Sequence, residues 1–315
     1  MTTLKYAIAA AAFLCGTAAA QTYPTKTVRF ISGVTPGSAS DTMARILAEK
    51  LSATLGQPVI VENRLGAGGL VGAKWVATQE PDGHNIMMYA SAFTVSTLLN
   101  PGLDPKELVP VATVATIPTI LITPPGKYKT AADFISAAKA QPGKLACATA
   151  GVGSATHMAL ERFRFAAGFE VLNVHTKGAG EALTEVVSGR ADCYFALVFQ
   201  AQKMRDAGKV EAHAVSAPKR TALMPDLPTT VELGYPNSDY NFWLGALVAA
   251  KTPRPIVERL HKEINALVQS PEINDRIRKL GADPLTMSID EFQGMIDREL
   301  RENAELIKKA GIKAN

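Results

Sequence analysis

One pattern occurs twice in this chain and limits what it can fold into: an apolar strand, a glycine-serine turn, then an amphipathic helix. Residues 27–32 (TVRFIS) read as the strand and residues 42–55 (TMARILAEKLSATL) as the helix, joined by Gly33-Val34-Thr35-Pro36-Gly37-Ser38-Ala39-Ser40-Asp41. Gly33 and Gly37 permit a sharp turn, and Ser38, Ser40 or Asp41 can cap the helix that follows. The second copy runs from the strand 144–150 (KLACATA) through Gly151-Val152-Gly153-Ser154-Ala155-Thr156 to a helix over 157–167. A helix N-terminus offers unpaired N–H groups and a partial positive charge, so each loop can receive an anion. A single copy reads as an ordinary turn with a good cap. Two copies imply two similar α/β lobes closing on one anion.

A chain of 315 residues has room for both lobes and a large core. Its 47% hydrophobic and 20% charged residues fit a globular protein, and the net charge of +4 is spread out. With no basic run and no stacked-aromatic pattern, nucleic acid is not expected as a partner. Residues 1–20 read as an export leader. Lys5 gives the positive end, residues 6–15 the apolar stretch, and Ala18-Ala19-Ala20 a small-residue cleavage site before Gln21. The residue before Cys15 is Leu14, where a lipid-attachment box carries a small one. The expectation is a soluble periplasmic protein with no later membrane span. Cys147 and Cys193 then remain, an even count that permits one disulfide or two small buried thiols.

Strand and helix alternate along the first lobe: strands at 58–63 and 85–90, a helix at 70–79. The run Gly66-Ala67-Gly68-Gly69 does not match G-x-G-x-x-G and reads as a tight turn rather than a cofactor loop. Ser91 and Thr94 follow the strand 85–90 as helix caps or ligand contacts. Residues 109–123, broken by Pro118, read as one strand of each lobe with a crossing between them. Strands at 170–175, 191–198 and 212–216 and helices at 131–140, 181–188 and 200–207 continue the second lobe. Residues 218–236, rich in proline, return the chain. The apolar run 242–250 is a strand of the first lobe buried on both faces, and helices at 255–269, 271–280 and 289–310 wrap that lobe with solvated charged faces. The first lobe is thus 21–118 with 238–315, and the second 119–237. Sheets of this kind bind ligands beyond the carboxyl ends of their strands, and a double crossing makes a hinged clamp.

The five histidines show no metal spacing, and no nucleophile elbow or phosphate-binding lysine loop occurs. His157 or His175 could serve as an acid-base group in an enzyme, or simply sit hydrogen-bonded at a helix start and strand end. Anion loops without a reactive constellation point to a binder, with no metal and no cofactor.

Several motifs then combine: Pro36-Gly37-Ser38-Ala39-Ser40-Asp41, Gly56-Gln57-Pro58-Val59-Ile60-Val61-Glu62-Asn63-Arg64, Gly66-Ala67-Gly68-Gly69, Pro81-Asp82-Gly83, Pro142-Gly143-Lys144-Leu145, Lys177-Gly178 and Pro225-Asp226-Leu227-Pro228-Thr229. With Gly151-Val152-Gly153-Ser154 and the ending Ala310-Gly311-Ile312-Lys313, they make the chain resemble the extracytoplasmic solute receptors of tripartite tricarboxylate transporters, the Bug family. The resemblance covers nearly all of the chain after the leader. It implies the type II periplasmic-binding-protein fold, α/β, with two lobes of mostly parallel sheet flanked by helices and hinged by two crossings. It also implies a monomer that traps a small organic acid and delivers it to transporter membrane subunits. A sensor subunit of a signalling system is an alternative.

The implied contacts are Thr35, Gly37, Ser38 and Ser40 from the first loop and Gly153, Ser154 and Thr156 from the second, with Ser91 and Thr176 beside them. Ser38 stands where many members have a second glycine. Ala196 stands where many carry an aspartate that holds an ammonium in amino-acid-binding members. Ala196, Phe199 and Trp243 are expected to line the cleft, which implies an amine-free carboxylate with an apolar body, aromatic acids such as phthalate isomers first. The strand order of that fold also makes Cys147 and Cys193 neighbours, where a bridge is sterically possible.

Overall fold

The structure, a computed structural model, describes residues 23–240 and 242–313; the leader lies outside them. Strands β1 (Val28–Ser32), β2 (Val59–Asn63), β3 (Asn85–Ala90) and β4 (Leu108–Thr116) come before the first passage between lobes. β5 (Thr119–Thr123), β6 (Ala146–Thr149), β7 (Leu172–His175), β8 (Cys193–Leu197) and β9 (Glu211–Ser216) follow it, and β10 (Trp243–Ala249) and β11 (Asp283–Pro284) follow the return. The helices of the first half are α1 (Ala39–Leu55), α2 (Leu70–Ala77), α3 (Ala92–Leu99), α4 (Ala131–Ala140) and α5 (Ala155–Ala167). Those of the second are α6 (Ala179–Val187), α7 (Val198–Asp206), α8 (Arg254–Gln269), α9 (Pro271–Lys279) and α10 (Ile289–Ala310).

The strands form two sheets, in the orders β11-β4-β10-β3-β1-β2 and β7-β6-β8-β5-β9. Each has a parallel trio, β2-β1-β3 or β7-β6-β8, followed by one reversed strand, β10 or β5. The reversal follows from the crossing. A strand leaving one lobe at its carboxyl end enters the other at the corresponding end, so it must run against the strands already there. β4 passes into β5 through Ile117 and Pro118 in this way, and Pro118 needs no ladder donor at that break.

Pleat parity sorts the core. Phe30, Met88 and Leu244 point to one face of the first sheet, where Met43, Leu47 and Leu51 of α1 and Leu260 and Ile264 of α8 cover them. Ile31, Met87, Tyr89, Trp243 and Leu247 point to the other, against Leu70, Phe93, Phe292 and Met295 of α2, α3 and α10. In the second sheet Cys147, Cys193 and Phe195 face α4 and α5, while Tyr194 and Ala196 face Ala182, Val186 and Ala201 of α6 and α7. Both sheets are therefore covered on both faces, as buried parallel strands require.

The structure corrects the reading of α10 and decides between the two alternatives left open for the cysteines. α10 does not wrap the first lobe alone: Phe292 and Met295 sit in that lobe's core, whereas Leu306 belongs to the second lobe's cluster. Its polar face is not all solvated either, because Glu299 and Asn303 are buried. Cys147 and Cys193 are register partners on β6 and β8, with Cα atoms 4.6 Å apart, and their sulfurs are bonded.

Candidate functional site

The two glycine-serine loops are the same device built twice. Ser38 and Ser154 are both extended N-caps, and each serine Oγ accepts an N–H three residues on, from Asp41 (3.4 Å) and from His157 (3.3 Å). The preceding glycines, Gly37 and Gly153, are left-handed at φ 83° and 72°, a conformation that costs a side-chain-bearing residue more. Each glycine N–H is then taken by the side chain four residues on. Gly37 donates to Asp41 Oδ2 at 2.9 Å, and Gly153 donates to His157 Nδ1 at 3.1 Å. The sequence carries this in plain view as G-S-A-S-D and G-S-A-T-H; Asp41 reads there as a cap, and His157 as a base or a hydrogen-bonded histidine at a helix start, the second of which it is.

Asp41 locks the first loop. Its carboxylate also accepts from Arg45 and from Asn63 Nδ2 (2.7 Å), and the same Asn63 amide donates to Val34 O. Burial pushes the Asp41 carboxyl up, but the hydrogen bonds from Arg45, Gly37 and Asn63 prevail and hold it below its ordinary value. Gly33 meets Gly69 so closely that a Cβ on Gly33 would lie 2.4 Å from the Gly69 Cα. The Gly66–Gly69 run thus serves backbone packing beneath the first loop.

His157 locks the second loop. Because Nδ1 accepts from Gly153, Nε2 carries the proton, and it faces Glu161 Oε1 at 3.7 Å. Burial lowers the imidazole to about 4, against the pull of Glu161. Burial also lowers His175, whose Nδ1 meets Thr149 Oγ1 at 2.7 Å. The His157 lone pair that a general base would use is occupied by the loop it holds.

The caps leave Ala39 and Ser40 on one lobe, and Ala155 and Thr156 on the other, as first-turn N–H groups with no intrahelical partner. The lobes meet at the second loop, where a Cβ on Gly153 would come 3.1 Å from Val95 and 3.3 Å from Leu99 of α3. Of the remaining expected contacts, Thr35 is exposed and its carbonyl accepts from Ser38. Thr156 Oγ1 accepts from Ala150 N and lies 3.1 Å from Ser154 Oγ. Thr176 Oγ1 is bonded to Thr149 O and Gly178 O and pins the loop after β7. Ser91 starts α3 with a buried hydroxyl that faces the equally buried Tyr240 hydroxyl without a well-formed bond between them.

Three expected cleft residues stand elsewhere. Trp243 is fully buried because parity turns it toward α10, where its ring meets Phe292 edge-on and Nε1 donates to Glu299. Ala196 is fully buried on the α6 and α7 face of β8. Phe199 packs across the lobe boundary on Gly281, beside β11. That strand is four places from β1 in the sheet order, about 19 Å at the usual strand spacing.

Residues 43–312 match the family of the tripartite tricarboxylate transporter family receptor. The chain belongs to that family. BugT of Bordetella pertussis is 31% identical over 310 residues, covering 96% of this receptor and 95% of its own length. Among solved structures, periplasmic binding protein BugD superimposes with a TM-score of 0.76 at 31% identity, covering 93% of this receptor and all of BugD. R. palustris Rpa4515 with adipate gives 0.79 at 28% identity, with 92% and 99% covered. MatC from Rhodopseudomonas palustris with bound malate gives 0.76 at 27% identity, with 90% and 100% covered. The receptor has no helix, among the described residues, long and apolar enough to cross a membrane.

Proposed function

We propose that this receptor captures a small amine-free dicarboxylate between the Ser38 and Ser154 caps in the periplasm and passes it to transporter membrane subunits. The observation that carries the reading is the duplicated cap: two helix N-termini on opposite lobes, each with uncommitted N–H groups and a serine hydroxyl. Two such ends suit two carboxylates. The relatives solved with adipate and malate support that class.

The cap residues themselves exclude an ammonium. Asp41 is buried and paired with Arg45, and Glu161 is buried against Arg164. An ammonium brought there would lose water and gain no anionic partner, a cost of several kcal/mol. An aromatic acid gains nothing from Trp243 and Ala196, which are fully buried inside their lobes, and Phe199 stands at the lobe boundary beside Gly281.

Calorimetric titration with adipate, malate, phthalate, benzoate and glutamate tests the class. Adipate or malate should bind ahead of benzoate, and glutamate should bind weakly. Glutamate binding more tightly than every amine-free acid would overturn the reading. Ser38→Ala and Ser154→Ala should each weaken the best acid by about 1–3 kcal/mol. Loss of the cap also lowers stability by about 1 kcal/mol, so affinity is compared where each variant is fully folded. Wild-type affinity in both variants would remove the caps from the site.

A further inference from the structure

Behind Ser91, at the start of α3, lies a buried polar chain that runs from one lobe to the other. Glu299, at the middle of α10, is more than nine-tenths buried and, among the described residues, has no cation in direct contact. Trp243 Nε1 donates to its two oxygens at 3.1 and 3.0 Å, and its Oε2 lies 3.3 Å from Thr94 Oγ1. Thr94 Oγ1 is also 2.9 Å from Ser91 O and accepts from Asn303 Nδ2 at 2.9 Å. Asn303 Oδ1 in turn accepts from Arg162 of α5 at 3.2 Å. Since guanidinium can only donate, the Asn303 amide is fixed with its nitrogen toward Thr94. Arg162 completes the span by binding Glu302 and Asp239 O.

The proton count in this chain depends on Glu299. Thr94 has a single hydroxyl proton. If Glu299 is neutral, its own O–H donates to Thr94, and Thr94 donates to Ser91 O. If Glu299 is ionised, the Thr94 proton is drawn to the carboxylate, and the Ser91 carbonyl loses that bond. We infer that Glu299 is a positioning residue for ligand capture: through Thr94 it sets the start of α3 at Ser91, and through Asn303 and Arg162 it ties that helix start to the second lobe, so that its protonation state tunes affinity. This rests on the proposed capture of an acid between the two caps, with the start of α3 at Ser91 beside them. Burial raises the carboxyl to about 7, which places the switch near neutrality. The charged and titratable groups facing it are Arg162 on α5, Glu302 on α10 and Tyr240 on the return connection.

Trp243 reports the switch directly, since its N–H binds the titrating group. With Trp75 of α2, the other of the two tryptophans, replaced in a Trp75→Phe background, the pH titration of Trp243 emission should show a midpoint near neutrality, and Glu299→Gln should abolish it. Arg162→Ala should move the midpoint upward, because the guanidinium favours the ionised form. Adipate, as the probe, should bind about fivefold or more tightly at pH 5.5 than at 8.5, the lower end of ordinary coupling. Glu299→Gln should hold the low-pH affinity throughout. A flat Trp243 titration in the parent, or a midpoint indifferent to Arg162→Ala, overturns the proposal. So does a titrating Trp243 with pH-independent affinity. If adipate binds no variant, the ligand reading fails. The radius of gyration of the free protein over the same pH range then decides: a change sharing the Trp243 midpoint sustains the tie, and a constant value sinks it.

Discussion

Protein with Cys147 and Cys193 both replaced by alanine should unfold about 4 kcal/mol more easily than the oxidised parent. The bridge joins residues 46 apart in sequence, and closing a loop of that length removes about 4 kcal/mol of entropy from the unfolded chain on the chain-entropy model. Little should be returned by relaxation of the native state. The cysteines are register partners on adjacent central strands, and the ladder between β6 and β8 holds them side by side with or without the bond. Denaturant unfolding of oxidised, reduced and doubly substituted protein, each produced from Gln21 onward, measures the difference. The reduced parent and the alanine pair should agree within the cost of two small buried sulfurs. Thiol counting on denatured, unreduced protein should find none, and two free thiols would remove the bridge from the account.

Between about pH 4.5 and 6.5 the receptor's stability should contain two opposing slopes from two buried groups. His157 is held down at about 4, so in this range the unfolded chain binds a proton there that the native state does not. Stability therefore rises with pH on its account, and is lost as pH falls from 6.5 toward 4. Glu299 is held up at about 7, so the native state keeps a proton that the unfolded chain has released above about 4.5. Stability therefore falls with rising pH on its account, and the loss is complete above 7. Each displacement corresponds to about 3 kcal/mol. Glu299→Gln should leave the acid-labile slope exposed, and His157→Asn, whose amide oxygen can still receive the Gly153 N–H, should leave the alkaline one. Unfolding free energies at half-unit steps from pH 4.5 to 7.5 provide the test. Variants whose profiles both parallel the parent would show that neither group titrates as its burial requires.

Much of the architecture was legible because local signals agreed. Asn85–Ala90, Ala131–Ala140 and Ile289–Ala310 occupy the residues read for them: the first is an apolar run after the Pro81-Asp82-Gly83 turn, the second starts on the Thr130 cap, and the third lies between the Ser288 cap and the Gly311 stop. α3 was foreseen only as the helix that Ser91 or Thr94 would cap and was given no bounds, and Ser91 stands at its start without making a side-chain cap bond. The reversed direction of β5 and β10 is a property of where the lobes face each other, which no window of sequence contains. Pairs meeting across such distances account for the errors at the site. Trp243 seemed available to a ligand until Glu299, 56 residues later on a face read as solvated, supplied the acceptor for its indole. Asp41 and His157 were read one at a time, and only the fold sets them in equivalent places.

The position of β10 dictates an order of assembly. It lies between β3 and β4, with Leu244 opposite both Ala90 and Ala115, yet it is made after the whole second lobe. The five strands of the second sheet all fall within residues 119–216, so that sheet can pair before β10 exists, although Leu306 of α10 joins its lobe's core later. The first lobe cannot. Until the chain has extended past Ala249, β3 and β4 face a gap one strand wide, each with unpaired backbone groups beside apolar side chains. The second sheet, the guest, can pair before the first, its host. A chain that stops short of Trp243 leaves the host with a slot in the middle of its sheet, shaped for one particular strand and open to any other.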